Sequence, residues 1–160
     1  MAQDELRIKG HAKFVLTDEN GKVKDVREAE NMIVSGGLAT LADALAKTTN
    51  TYLCSGMGIG TGTTAPAAGN INLETSAAYV TLTSAGRGST AASGHSVIYT
   101  ATFDPGVGTA AITEAIICCA ASAYTDKPVG RILNRLTFSV INKAAADTLA
   151  VTWTIILADA

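Results

Sequence analysis

The stretch LRIKGHAKFVL, residues 6–16, places an apolar or small side chain at every second position from Leu6 to Leu16. Four of the five positions between them carry polar side chains: Arg7, Lys9, His11 and Lys13. Successive side chains of a β-strand point to opposite faces, so this alternation predicts a half-buried strand. The following Asp18-Glu19-Asn20-Gly21 is typical of a hairpin turn, and Lys22 to Asn31 returns as a second, more polar strand.

Alternating or continuously apolar runs continue through the rest of the chain. We predict strands over residues 52–59, 78–84, 96–103, 111–121, 129–140 and 149–157. Residues 111–121 are nearly all apolar, which favours a central strand buried on both faces. Residues 85–94, rich in Gly, Ser and Ala, are predicted to form a flexible loop. Eight strands with short turns indicate a mainly β protein, an antiparallel β-sandwich or barrel.

One short helix is predicted at about residues 37–46. Leu38, Leu41, Ala42 and Leu45 follow the i, i+3, i+4, i+7 spacing of a helical face, and Ser35 is suited to cap the helix. About ten residues are too few for a stable isolated helix, so we expect the helix to pack on a sheet.

The composition bounds the class of protein. Charged residues make up 16% of the 160, against about 25% in a typical domain. The length predicts a single domain over residues 1–160. A net charge of −2 argues against a nucleic-acid partner, and the lack of a long apolar run argues against a membrane span. The polar start at residues 1–5 does not resemble a secretory signal, which predicts synthesis in a cytoplasm.

The charges are unevenly distributed along the chain. Residues 48–103 contain only Glu74 and Arg87, and depletion of charge marks the centre of an interface. We therefore expect residues 1–5, as an N-terminal arm, and the loop 61–76 to reach neighbouring subunits. The candidate interface residues are Thr61, Thr63, Leu73 and Arg87.

The sequence contains no recognisable catalytic motif, so we do not expect an enzyme. The glycine-rich run 58–64 has neither the third glycine of a dinucleotide site nor the lysine of a P-loop, and no nucleophile elbow is present. No spacing of His and Cys suggests a metal, so we expect no cofactor. Cys54, Cys118 and Cys119 are expected to be reduced, with one bridge, inside the chain or between subunits, as the alternative.

One charged residue interrupts the most apolar strand. Glu114 lies within the run 112–119, and Arg131 and Arg135 follow on the next strand. Buried carboxylates are usually paired, so we predict a structural ion pair between Glu114 and one of these two arginines.

Several short motifs, in this order along the chain, resemble those of a known family. They are Asn31-Met32-Ile33-Val34-Ser35-Gly36-Gly37-Leu38, Gly58-Ile59-Gly60-Thr61-Gly62-Thr63-Thr64-Ala65-Pro66, Phe103-Asp104-Pro105-Gly106, Arg135-Leu136-Thr137-Phe138 and Asp147-Thr148-Leu149-Ala150-Val151-Thr152-Trp153. Together they resemble the small β-sandwich structural proteins of tailed bacteriophage virions, of the decoration, collar or tail type.

The resemblance implies a non-enzymatic subunit that assembles as a homo-oligomer in many copies. It would lie on the particle exterior, as a head decoration protein or a collar or neck subunit, after synthesis in the bacterial cytoplasm. Its partners would be other copies of itself and the capsid, portal, neck or tail proteins. A tail or baseplate component is the alternative within this class. A carbohydrate-binding or host-surface-binding module is the alternative outside it, and would require exposed aromatic side chains.

Overall fold

The chain forms two antiparallel sheets of five strands that pack face to face. A computed structural model describes residues 6–46, 53–90, 94–120 and 130–159. The elements are β1 Leu6–Thr17, β2 Val23–Glu30, β3 Met32–Ile33, α1 Ser35–Ala46, β4 Leu53–Gly60, β5 Ser76–Thr81, β6 Ser84–Thr90, β7 Gly94–Phe103, β8 Ala110–Ala120, β9 Gly130–Lys143 and β10 Thr148–Asp159. Sheet I has the order β2-β1-β10-β7-β6, and sheet II has the order β3-β9-β8-β4-β5. This architecture confirms the predicted antiparallel sandwich.

The main core lies between the two sheets. Its largest members are fully buried: Trp153, Phe14, Phe103, Met57, Ile59, Ile112 and Ile117. The side chains come from alternate positions of β1, β7 and β10 and from the inner face of sheet II, as the period-2 pattern requires. The indole Nε1 of Trp153 donates to Asn31 Oδ1 over 2.7 Å, so the one polar atom of this ring is satisfied inside the core.

Two strands differ from the prediction. The short β3 was missed, and residues 84–90 form β6 instead of opening the predicted flexible loop 85–94. The backbone of β6 pairs with β7 from Ser84 opposite Thr100 to Thr90 opposite Gly94. Gly, Ser and Ala have low strand propensity, but main-chain hydrogen bonds to a neighbouring strand do not depend on the side chain. The prediction that β8 is central and buried on both faces is confirmed.

The helix α1 forms where it was predicted and packs on a sheet, as expected, through its glycine side. Gly37 and Thr40 are buried, whereas Leu38 is 51% exposed and Leu45 is 78% exposed. The cause is a close approach, because a Cβ at Gly37 would collide with the backbone carbonyl of Leu133 on β9. The helix therefore contacts the sheet through its glycine side, whereas Leu41 of the apolar face is half-buried and Leu38 and Leu45 stay exposed. Ser35 lies in the first turn of the helix itself.

A buried lysine and a buried aspartate hold together the turns at one end of the sandwich. Lys143 Nζ donates to the carbonyl oxygens of Asp104, over 3.0 Å, and of Asp147, over 2.7 Å. Asp147 Oδ2 accepts from Lys24 Nζ at 2.6 Å and from the amide of Ala144 at 2.9 Å. The hydrogen bond from Lys24 lowers the pKa of Asp147, and burial lowers the pKa of Lys143. This cluster joins β2, the turn after β7 and the β9–β10 hairpin.

Candidate functional site

The outer face of sheet II is covered by the chain between β4 and β5, residues 61–75, which we call the cover segment. Leu73 of this segment is only 8% exposed and packs in a second apolar cluster. The cluster also contains Val34, Ile116, Cys118 and Ile132, with Tyr79 against it. The cover segment therefore folds back on its own sheet.

A buried carboxylate anchors the cover segment by its main chain. Glu114 lies on β8 with no exposed surface. Its Oε1 accepts from the amides of Gly62, at 2.9 Å, and Thr75, at 2.8 Å, and its Oε2 accepts from the amide of Glu74, at 3.0 Å. Hydrogen bonds to a charged acceptor are stronger than those between neutral groups. One side chain thus fixes both ends of the cover segment.

Arg135 on the adjacent strand β9 compensates the charge of Glu114. Its Nε donates to Glu114 Oε2 over 3.0 Å, and its Nη2 lies 2.9 Å from the same oxygen. Its Nη1 donates to Asn70 Oδ1 over 3.2 Å, so the guanidinium also holds the middle of the cover segment. Of the two arginines that the sequence offered, Arg131 instead contacts Asp43 of α1, at 2.6 Å.

Glu74 forms the solvent-facing side of this ionic group. Its carboxylate accepts from the amide of Thr64 at 2.9 Å and from the Thr64 hydroxyl at 2.8 Å. These hydrogen bonds, the backbone one first, lower the pKa of Glu74. Arg135 Nη2 is 3.5 Å from Glu74 Oε2. The arrangement crosslinks one part of the cover segment to another.

The glycine-rich run has a structural role that its sequence alone did not suggest. A Cβ at Gly62 would lie 2.5 Å from Glu114 Oε1, and a Cβ at Gly60 would also collide with Glu114. A Cβ at Gly58 would lie 2.7 Å from the ring of Tyr79 and 3.0 Å from Leu73. The alternating glycines therefore let the cover segment approach the sheet closely. Two features of the sequence could have predicted this contact. One is the glycine at every second position of the run, and the other is a charged residue inside the apolar strand β8.

A cleft of about 320 Å³ lies in the surface of the cover segment, beside the end of Arg135. It is lined by Thr64, Gly69, Asn70, Ile71, Asn72, Leu73, Glu74 and Arg135. Asn72 Oδ1 accepts from the Tyr79 hydroxyl at 2.8 Å, and Asn70 accepts from Arg135, so these amides also serve the segment itself. Within the described ranges, no group of three or more His, Cys, Asp or Glu side chains is placed to hold a metal ion.

The predicted interface residues have different environments. Leu73 is buried in the second cluster, where its side chain packs on its own sheet, and its contact with a neighbouring subunit stays a prediction. The amide of Thr61 donates to the carbonyl of Thr75 over 2.9 Å, and Thr63 is exposed. Arg87 lies in strand β6 opposite Val97, not in a loop. Residues 1–5, the expected arm, lie outside the described residues.

Two of the three cysteines form a disulfide. Cys54 on β4 and Cys119 on β8 are direct partners across the two strands and are bonded to each other, 65 residues apart in sequence. The expectation of three reduced cysteines is therefore wrong, and the alternative of a bridge within the chain is the one observed. The pairing follows from the register of β4 with β8, which the sequence does not reveal. Cys118 points to the opposite face of β8 and is buried in the second cluster.

Comparisons with known proteins identify no relative. No family model, no curated protein and no solved structure matches this chain. Over the residues that the structure covers, α1 is the one helix, and it lacks the length needed to cross a membrane.

Proposed function

We propose that the chain is a non-enzymatic structural subunit of a tailed bacteriophage virion. It assembles in many copies on the particle exterior, as a head decoration protein or a collar or neck subunit. A tail or baseplate component is the alternative within the class. The resemblance of the sequence motifs supports this class of protein, and the β-sandwich is the architecture that the resemblance implies.

The observation that carries the proposal is a set of large apolar side chains left exposed on firmly held elements. Leu45 is 78% exposed and Leu38 51% exposed on α1, and Ile71 is 76% exposed on the cover segment. The helix is held by its close contact with β9, and the cover segment is held by Glu114 and Arg135. Exposed apolar side chains on a rigid support suit contacts with other proteins.

The disulfide supports a position on the outside of a particle. Disulfides are rare in the cytosol and persist on virion and cell surfaces. On this proposal the Cys54–Cys119 bond belongs to a subunit that faces an oxidising medium outside the cell.

The environments of four of the eight aromatic residues argue against the carbohydrate-binding alternative. Trp153, Phe14 and Phe103 are fully buried. Tyr79 is partly buried against the second cluster, and its hydroxyl is bonded to Asn72. A sugar-binding face needs exposed aromatic rings, and these four residues do not supply one.

Gold-labelled antibodies against the purified chain, applied to phage particles from its host, test the proposal. Gold spread over the head supports a decoration protein, and gold at the neck supports a collar subunit. Gold on the tail selects the alternative within the class. Particles that carry no gold and no peptides of this chain by mass spectrometry would contradict the proposal, as would a specific sugar ligand on a glycan array.

A further inference from the structure

One flank of the sandwich is formed by a single stretch of chain that belongs to both sheets. β5 is the last strand of sheet II, and β6 is the last strand of sheet I. Only Leu82 and Thr83 join them, and their amides donate to the carbonyls of Ser55, at 2.9 Å, and Thr100, at 2.7 Å. Residues 76–90, which we call the neutral edge, therefore form the edge strand of sheet II and then the edge strand of sheet I on the same flank of the sandwich.

The neutral edge lacks the features by which proteins protect an exposed strand. Edge strands are usually kept from pairing by charged side chains, by proline or by short length. The neutral edge has fifteen residues, no proline and one charge, Arg87. Its backbone pairs on one side, β5 with β4 and β6 with β7, and the described residues place no strand on the other side.

The opposite flank ends in a strongly charged strand in sheet I and in a very short strand in sheet II. In sheet I it ends in β2, whose eight residues include five charges: Lys24, Asp25, Arg27, Glu28 and Glu30. β2 is also tied to sheet II, because Arg27 Nε donates to Ser139 Oγ over 2.9 Å. In sheet II the flank ends in β3, which has only two residues. The two flanks therefore differ in their capacity to accept another strand.

We propose that the neutral edge is the surface through which two copies of this chain associate, strand against strand. The distribution of charge favours the neutral edge of a second copy as the partner strand. Two neutral edges meet with one charge each, whereas β2 of another copy would bring five charges to a strip that cannot compensate them. An antiparallel pairing of identical edges has two-fold symmetry and lets the amides and carbonyls that face away from β4 and β7 in the two copies bond each other. The inference rests on the proposed assembly in many copies and names the surface used.

Single lysine substitutions test this surface in the purified full-length chain. Thr81 and Ala85 are exposed on the neutral edge, and Val26 is exposed on β2 of the opposite flank. Sedimentation velocity across a concentration series should give a dimer for the wild type and for Val26→Lys. Thr81→Lys and Ala85→Lys should weaken the association at least tenfold. Amides of residues 76–90 should exchange more slowly as the wild-type concentration rises.

Three results would overturn the inference. The wild type could sediment as a 16.3 kDa monomer at every concentration. Both neutral-edge lysine variants, shown folded by circular dichroism, could dimerise like the wild type. Val26→Lys could dissociate the dimer as strongly as Ala85→Lys. If particles are labelled with gold but any of these results is obtained, only the dimer through the neutral edge is contradicted. If particles are unlabelled but the dimer is sensitive to the lysine substitutions, only the virion assignment is contradicted.

Discussion

The outer faces of the two sheets differ in what covers them. On sheet I, the outward side chains of β1 are exposed in the described chain, among them Lys9, His11 and Lys13. On sheet II, the outward Ile116 and Cys118 of β8 are fully buried beneath the cover segment. The sequence reflects this difference: β1, with an exposed outer face, alternates polar and apolar residues, and β8, with a covered outer face, is continuously apolar. A strand pattern thus indicates whether a face is covered, but it does not indicate by what.

The largest expected effect is the loss of the charge that compensates Glu114. Arg135→Met leaves a buried carboxylate without its partner, which should lower the free energy of unfolding by about 3–5 kcal/mol. Urea denaturation measures the change. Lys9→Ala on the open face of sheet I is the control and should change the value by less than about 0.5 kcal/mol. Adding Glu114→Gln to Arg135→Met should recover part of the loss, and equal losses in single and double variants would contradict the pairing.

The apolar anchor of the cover segment should matter next. Leu73→Ala removes a buried side chain and should cost about 2–3 kcal/mol, near the lower end of the range for buried leucine because the site is close to the surface. Ile71→Ala, two residues away and 76% exposed, should cost less than about 0.5 kcal/mol. Hydrogen exchange should become faster in residues 61–75 of Leu73→Ala while the core of sheet I stays protected. Equal effects of the two substitutions would show that the segment is not packed on sheet II.

A matched pair of glycines sharpens the comparison further. Gly62→Ala places a methyl group against Glu114 and Glu74 and should destabilise the protein by about 1–3 kcal/mol. Gly69→Ala lies on the same segment with no atom within 4 Å of the added Cβ. Its effect on thermal stability should be neutral or slightly stabilising, because alanine restricts the unfolded chain. A neutral Gly62→Ala would contradict the close approach to Glu114.

The smallest expected effect is a dependence on acid. The hydrogen bonds from Thr64 lower the pKa of Glu74, so the folded state favours its charged form. The stability contributed by this carboxylate is full above its ordinary pKa of 4.5 and is lost as the pH falls through the lowered value. The difference in unfolding free energy between wild type and Glu74→Gln should therefore shrink between pH 6 and pH 3. A difference that stays constant would contradict this role.

More of the two sheets than of the candidate site could be predicted from the sequence. β1, β8 and β10 follow from side-chain period, and the charge of Glu114 inside an apolar strand predicted a buried ion pair. Strand β6 could not be predicted, because its pairing uses main-chain groups that every residue carries. The same reason hid the three amides on Glu114. The Cys54–Cys119 bond depends on the register between β4 and β8, which no local pattern encodes.

The way Glu114 holds the cover segment has a consequence for sequence variation. The carboxylate binds amides, and amides are the same whatever side chain is attached to them. The glycines and Leu73 are constrained by contact, but exposed positions such as Thr63 and Ala65 are not. The exposed side chains of this surface can therefore be substituted while the backbone beneath them keeps its conformation, as in a scaffold that displays interchangeable peptides.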